Sequence, residues 1–368
     1  MIKGVMIMKK ISDKLTILML VLLFLFCTIY PEETKNAASA AISRCLGTVI
    51  PSLYAMMIVS GLLTNSRIID SMGRFTEKAG KIFFGMEKTV FPVFLLSMFA
   101  GYPIGARMLC SEYENGHISK NRTQWLTGIC FGAGSAFISG CIASGIYKSR
   151  SVSLLIFTSN VGANVVSALV MSLFSRKNTE NISYKTQKPA VNTIMLMDTI
   201  SSAGKALAEI CFSVTAFAII SAALEKLGII EIFGNILAHS GGHSEKCMKV
   251  IVMSVLDITA ISGLPECDYT LLPCICGLVS FGGICVIFQV MTAVKGRISL
   301  LPFIFMRTVS AVLSYCICRL ILPHFILNES ITVSAVRIHK EGSFIPSILL
   351  MLMTFIVCRE VQNIKKAV

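Results

Sequence analysis

Apolar residues in this chain are gathered into long runs separated by short polar stretches. The runs cover 15–30, 45–64, 90–106, 125–147, 152–174, 208–224, 250–265, 271–291, 300–323 and 344–358. Most approach the roughly 17 to 25 residues that a helix needs to cross the hydrocarbon of a bilayer. The pattern predicts an all-α polytopic membrane protein. A polar connector divides it, so 1–44 reads as an N-terminal transmembrane anchor with its connector, 45–174 as a first repeat, 175–207 as the connector, 208–323 as a second repeat and 324–368 as a connector with a C-terminal transmembrane helix. The stretch 226–239 sets Ile229, Ile230, Ile232, Phe233, Ile236 and Leu237 against Glu225, Glu231 and Asn235. It is too short and too polar to span and is assigned to the membrane interface.

Composition agrees with this class. Of the 368 residues, 54% are hydrophobic and 14% charged, and the mean hydropathy is +0.76, whereas about a quarter of residues in soluble domains are charged. The net charge of +13 sits in connectors at the ends of apolar runs, which fits membrane topology better than nucleic-acid binding. Most of the fourteen cysteines, among them Cys130, Cys141, Cys211, Cys274, Cys276, Cys285, Cys316 and Cys318, lie inside apolar runs and read as small buried hydrophobes. Lys9, Lys10 and Lys14 precede the first run, but no small-x-small site follows it closely, so an uncleaved first span is expected.

Two pairs of segments on either side of the connector look alike. Pro51-Ser-Leu-Tyr-Ala-Met-Met-Ile-Val-Ser-Gly-Leu-Leu63 aligns without gaps to Phe212-Ser-Val-Thr-Ala-Phe-Ala-Ile-Ile-Ser-Ala-Ala-Leu224, and Cys130-Phe-Gly-Ala-Gly-Ser-Ala-Phe-Ile138 resembles Ser280-Phe-Gly-Gly-Ile-Cys-Val-Ile-Phe288. Their common order indicates an internal repeat. The segments around Gly101–Ala106 and Asp257–Pro265 hold the same ordinal place and are both broken by Gly and Pro. Broken backbone at membrane depth survives only where protein or a water-filled cavity satisfies it, and it marks transport sites. Lys and Arg divide 22 inside to 9 outside if these two segments turn back, against 19 to 12 if every segment crosses, so the positive-inside rule favours turning back. The expectation is about eight transmembrane helices plus two re-entrant segments, with three crossings per half and therefore inverted repeats.

Asp257 is the only acidic residue deep within an apolar segment. An ionisable group there is costly, so it reads as an ion-coupling or substrate group, or else as a structural acid between helices. Arg107 follows the Gly101 turn and suits a carboxylate, with snorkelling to the membrane surface as the alternative. Gly101, Tyr102, Pro103, Gly105, Gly134, Ser135, Thr259 and Ser262 complete the broken segments as candidate substrate contacts, and Asn160, Asn164 and Gln289 are polar positions in apolar spans that line a cavity or hold helices together. His239, His243 and Cys247 recur every four residues, but Gly241 and Gly242 intervene and no fourth ligand is evident, so no metal is assigned. There is no HExxH, GxSxG, P-loop or paired carboxylate within a span, and neither an enzyme nor a cofactor is expected.

The stretch Phe99-Ala-Gly-Tyr-Pro-Ile-Gly-Ala-Arg-Met108 resembles the signature of the YlbJ-type sporulation integral membrane proteins, which carry the nucleoside-recognition or Gate domain. Pro51-Ser-Leu, the run from Gly132 to Ile138 and Ser280-Phe-Gly-Gly-Ile-Cys-Val support it. The resemblance implies a role in endospore formation and movement of dipicolinic acid, a small aromatic dicarboxylate, across the outer forespore membrane. The chain departs from the family pattern at Phe131-Gly-Ala-Gly-Ser135 and at Asp257-Ile-Thr259, which keeps a nucleoside or another metabolite open as substrate. The leading expectation is a secondary transporter of a small anionic metabolite. The alternative is a non-transporting membrane component that anchors or gates a sporulation complex, and the oligomeric state is left open.

Overall fold

Without water to bond to, a segment in lipid must satisfy its own backbone groups, and a helix does so within one segment. The computed structural model follows that demand: every regular element among the described residues is helical. The structure describes residue 17 and residues 20–175, 188–241, 244–265 and 268–332. The expected C-terminal span at 344–358, the start of the first span, most of the polar connector and His243 lie outside the described residues.

After α1 (Leu20–Ile29), α2 (Pro31–Arg44) runs through a π-turn segment (Cys45–Val49) into α3 (Ile50–Asn65). Residues 31–44, expected as connector, are therefore helical, and Pro31–Asn65 is a single 35-residue stretch. Pro31 opens it at the first turn, where its missing N–H costs nothing. Ser66 caps α4 (Arg67–Phe84), its hydroxyl accepting from the Ile68 N–H, and Gly85 ends it at φ 57°, a conformation that glycine adopts without a Cβ penalty. There follow α5 (Val90–Ala100), α6 (Ile104–Glu114), α7 (Lys120–Ile129), α8 (Ser135–Phe137) with its π continuation (Ile138–Ser144), and α9 (Arg150–Ser175).

The second half opens with α10 (Thr193–Lys226), capped by Asn192. It starts inside the stretch expected to be connector, because Asp198, Ser201, Ser202 and Lys205 lower the hydropathy without preventing a helix, while Ala203, Ala206 and Leu207 are buried. Then come α11 (Ile229–Gly241), α12 (Glu245–Leu256), 3-10 turns at Ile258–Gly263 and Tyr269–Leu271, α13 (Leu272–Phe281), α14 (Gly283–Val294) and α15 (Leu301–Thr332). Five stretches among the described residues are long and apolar enough to cross a bilayer: Pro31–Asn65, Arg150–Leu173, Thr193–Lys226, Tyr269–Val294 and Leu301–Phe325.

One order of elements occurs twice: a long apolar helix, an amphipathic helix, two interrupted helix pairs and another long helix. In the first half, α5 and α6 have 11 residues each, about 16 Å apiece and half the hydrocarbon thickness. A Cβ built on Gly105 would lie 2.8 Å from the Ser97 Cβ. Eight residues along one continuous helix span about 12 Å, so the chain doubles back at Gly101–Pro103. The base of this hairpin holds a buried ionic cluster. Glu112 binds Lys188 and takes a 2.7 Å hydrogen bond from His117 Nδ1, and the Lys188 ammonium also donates to the Thr64 carbonyl at 2.8 Å. Burial pushes the Glu112 carboxyl up, but His117 and Lys188 outweigh it and hold it below the usual carboxylate range.

Candidate functional site

The helix interruptions meet at the centre of the molecule, and in the first half they meet backbone to backbone. A Cβ on Gly105 would overlap the Cys130 carbonyl oxygen, one on Gly132 would come within 2.8 Å of the Ser97 and Met98 carbonyl oxygens, and one on Gly134, at φ 76°, would be 3.1 Å from the Gly101 Cα. In the second half Gly283, at φ 81°, has the same relation to Ile258 N and the Ser254 carbonyl oxygen, at 3.1 and 3.2 Å. The halves touch where Gly282 faces the Phe131 ring.

Beside this seam lies a small cavity of about 30 Å³, lined by Ser52, Leu53, Tyr102, Ala133, Phe137, Ile210, Asp257, Thr259 and Gln289 among others. It has room for about two waters. Four of the residues singled out by sequence, Tyr102, Asp257, Thr259 and Gln289, thus converge on one space from the turns or helices of both halves. The Tyr102 ring stacks on Phe131 at 4.8 Å between centroids, and its hydroxyl is buried without a hydrogen-bond partner among the described residues. Asp257, 2% exposed, caps the 3-10 turn, accepting from the Thr259 N–H at 3.1 Å and the Thr259 hydroxyl at 2.6 Å. No cation bonds it among the described residues.

A wider cavity of about 480 Å³ opens between α3, α6 and α10, its polar lining drawn from Ser60, Thr64, Asn65, Arg107, Ser111, Asn192, Asp198, Thr199 and Ser202. Arg107 reaches Glu209 at 3.4 Å in a part-exposed pair, and its Nε is buried without a partner. The two cavities follow the same helices: Leu53 and Met57 are one turn apart on α3, and Tyr102 at the hairpin tip precedes Arg107 on α6.

Other candidates lie elsewhere. Ser135 borders a third cavity, with Phe99, Arg150 and Phe157. Ser262 is exposed and bonds the Thr259 carbonyl, while the Asn160 amide bonds the Ile156 carbonyl in its own helix. Pro103 sits in the turn after a cis peptide bond. Asn164 lines neither of the two central cavities. Its amide N–H donates to the Phe131 carbonyl at 2.7 Å, and its oxygen accepts from Arg307 Nη2 at 2.6 Å.

Arg307 lies inside the apolar run 300–323. It is fully buried, donates to the Ser280 carbonyl at 3.1 Å and lies 4.6 Å from the Phe131 ring centroid. It therefore satisfies the carbonyl freed where α13 ends and, through Asn164, which bonds the Phe131 carbonyl just beyond α7, joins the interruptions of the two halves. The signal was present in the sequence, since an arginine inside an apolar run must face a polar partner or cavity.

No protein-family model matches the chain, and no solved structure matches it. Over 181 residues it is 24% identical to the sporulation integral membrane protein YlbJ of Bacillus subtilis (strain 168), covering 48% of this chain and 44% of that protein. The chain is YlbJ-related. It spans less than half the length of this curated relative. The match agrees with the family resemblance carried by Gly101–Arg107, and with the five apolar stretches it makes the chain a multi-pass membrane protein.

Proposed function

We propose that this YlbJ-related protein is a secondary transporter of a small anionic metabolite during sporulation, and not an enzyme. The observation that carries the reading is the convergence of Tyr102, Asp257, Thr259 and Gln289 on one small cavity, one helical turn from a wider cavity walled by Arg107. The wider cavity falls within the 300 to 1,000 Å³ usual for small-molecule sites, and the unpartnered Arg107 Nε supplies a donor for a carboxylate. The central cavity is too small for such a molecule, as expected of a pathway shut at the hairpin tip. Asp257 repels an anion unless it carries a proton or a cation, which suits it to ion coupling.

Two inverted repeats fit this reading. The aligned stretches 51–63 and 212–224 each end two residues before the close of their helices, at Asn65 and Lys226, and the second aligned pair falls on the interruptions at 130–134 and 282. Transporters built this way place their sites between discontinuous helices near the membrane midplane. Dipicolinate is the proposed substrate, on the family resemblance, and the outer forespore membrane the proposed location.

The test is dipicolinate uptake into vesicles containing the purified protein under an imposed proton or sodium gradient. Arg107→Ala is expected to reduce both gradient-driven uptake and exchange, whereas Asp257→Asn abolishes gradient-driven uptake and spares exchange. Normal uptake in both variants refutes this assignment. Absence of transport of dipicolinate and nucleosides by wild-type protein favours the non-transporting role.

A further inference from the structure

Helix α4 carries three distinct faces. At about 100° per residue, Ile69, Gly73 and Gly80 fall on one side, and this side packs: Ile69 is fully buried, and Gly80 abuts Phe91 on α5. Ile68, Phe75, Ala79, Ile82 and Phe83 fall on a second side, which is open. Phe75 is 91% exposed, and Ile82 and Phe83 are each 61% exposed. The third side is charged, and its charges are sorted. Arg67, Arg74, Lys78 and Lys81 adjoin the open apolar side, while Asp70 and Glu77 lie across the helix from it.

Helix α11 holds the corresponding place in the second half and also exposes apolar residues, Ile232, Phe233 and Ile236 among them. It has no lysine or arginine, and its Glu231 is paired with Lys249 of α12 at 3.1 Å. The apolar face is common to the two helices, and the basic flank belongs to α4 alone. Among the described residues Arg74, Lys78 and Lys81 have no carboxylate partner.

We infer that α4 lies in the membrane interface and binds anionic phospholipid headgroups through Arg74, Lys78 and Lys81, with Phe75 and its neighbours in the acyl boundary. An exposed phenylalanine on a multi-pass membrane protein is stable where lipid covers it, and the adjoining basic side chains then extend to headgroup depth. Basic residues at that depth favour anionic over zwitterionic lipid. Asp70 and Glu77 are kept on the side away from the bilayer, which like-charge repulsion requires. In α11 the same apolar seat has no such flank, so it gives an internal control.

The experiment uses the full chain with Trp125→Phe, which removes the one native tryptophan, and Phe75→Trp as reporter. Vesicles contain equal phosphatidylcholine and phosphatidylglycerol, with bromine on the chains of one lipid or the other. Emission from the reporter is expected to be quenched at least about twofold more by brominated phosphatidylglycerol. A Phe233→Trp reporter in α11 is expected to show no preference. Combined Arg74→Gln, Lys78→Gln and Lys81→Gln should keep the quenching and remove the preference. No quenching by either lipid, equal quenching with the basic flank intact, or a preference that survives the triple substitution would each overturn the inference. Should the tryptophan exchange prevent folding, phosphatidylglycerol retained through delipidation by the native sequence, and lost from the triple variant, gives the same reading by mass spectrometry. Equal retention of the two phospholipids by the native sequence overturns the inference.

Discussion

The two halves interrupt their helices at corresponding places but by different chemistry. Around Gly101 and Cys130–Gly134 the first half uses bare backbone, with glycines where chain meets chain too closely for any Cβ. Around Asp257 the second half keeps one such contact, Gly283 against the backbone of Ile258 and Ser254, and adds a side chain, a carboxylate that caps the next turn and borders the cavity. Gly263, at the end of that turn, has nothing within 4 Å of a built Cβ. The difference separates two demands on such a site: a close-packed pivot that tolerates no change, and a looser arm that carries charge.

The largest effect should come from adding one carbon to the pivot. Gly105→Ala sets a methyl against the Cys130 carbonyl and the Ser97 side chain, and a clash with backbone cannot relax through a rotamer. We expect a loss of about 3 kcal/mol, the upper end for overpacking. Gly263→Ala should be neutral or gain about 0.5 kcal/mol through the unfolded chain. Thermal unfolding in detergent, followed by a dye that reacts with newly exposed thiols such as those of the buried Cys130 and Cys285, measures both. Equal effects at the two glycines would erase the contrast between the halves.

A smaller effect tests the link between the halves. Arg307→Met leaves the Ser280 carbonyl without its donor and Asn164 without its cation, and we expect a cost of about 2 kcal/mol from the unsatisfied groups. Because Asn164 acts in the same chain of bonds, adding Asn164→Ala to Arg307→Met should cost much less than the sum of the two alone. Additive costs in the same unfolding assay would mean that the interruptions are held independently.

Hydropathy showed the helical membrane class in the sequence, because apolar runs of spanning length have few other uses. The broken segments were legible too: Gly101, Pro103 and Gly263 interrupt runs that otherwise read as helix. Two things escaped. Helix α4 falls between two of the apolar runs, since its apolar residues are spread through charged ones and never form a run, and only their recurrence at 68, 75 and 82 betrays a face. Residues 193–207 were lost for the same reason, so the α10 wall of the wider cavity, with Asp198 and Thr199, was not anticipated. A run detects segments surrounded by apolar groups on all sides; it misses those with one wet face. Within the site, Asp257 and Gln289 were conspicuous as polar atoms in apolar surroundings, whereas the role of Asn164 depended on Arg307, a partner 143 residues away.

The smallest expected effect on stability is the sharpest test of which residues serve the cavity. Tyr102 stands on the glycine pivot, yet it lines the same cavity as Asp257 of the second half, and its hydroxyl is buried without a partner among the described residues. A buried hydroxyl without a partner contributes no hydrogen bond to the fold, and its removal relieves a desolvation cost. Tyr102→Phe keeps the ring stacked on Phe131 and should leave stability within about 0.5 kcal/mol or raise it. If the hydroxyl donates to a substrate or to a water that travels with the coupling ion, dipicolinate uptake in vesicles should fall about tenfold, the consequence of losing one such bond at roughly 1.4 kcal/mol. Unchanged uptake would assign Tyr102 to the pivot alone and leave the chemistry of the cavity to the second half.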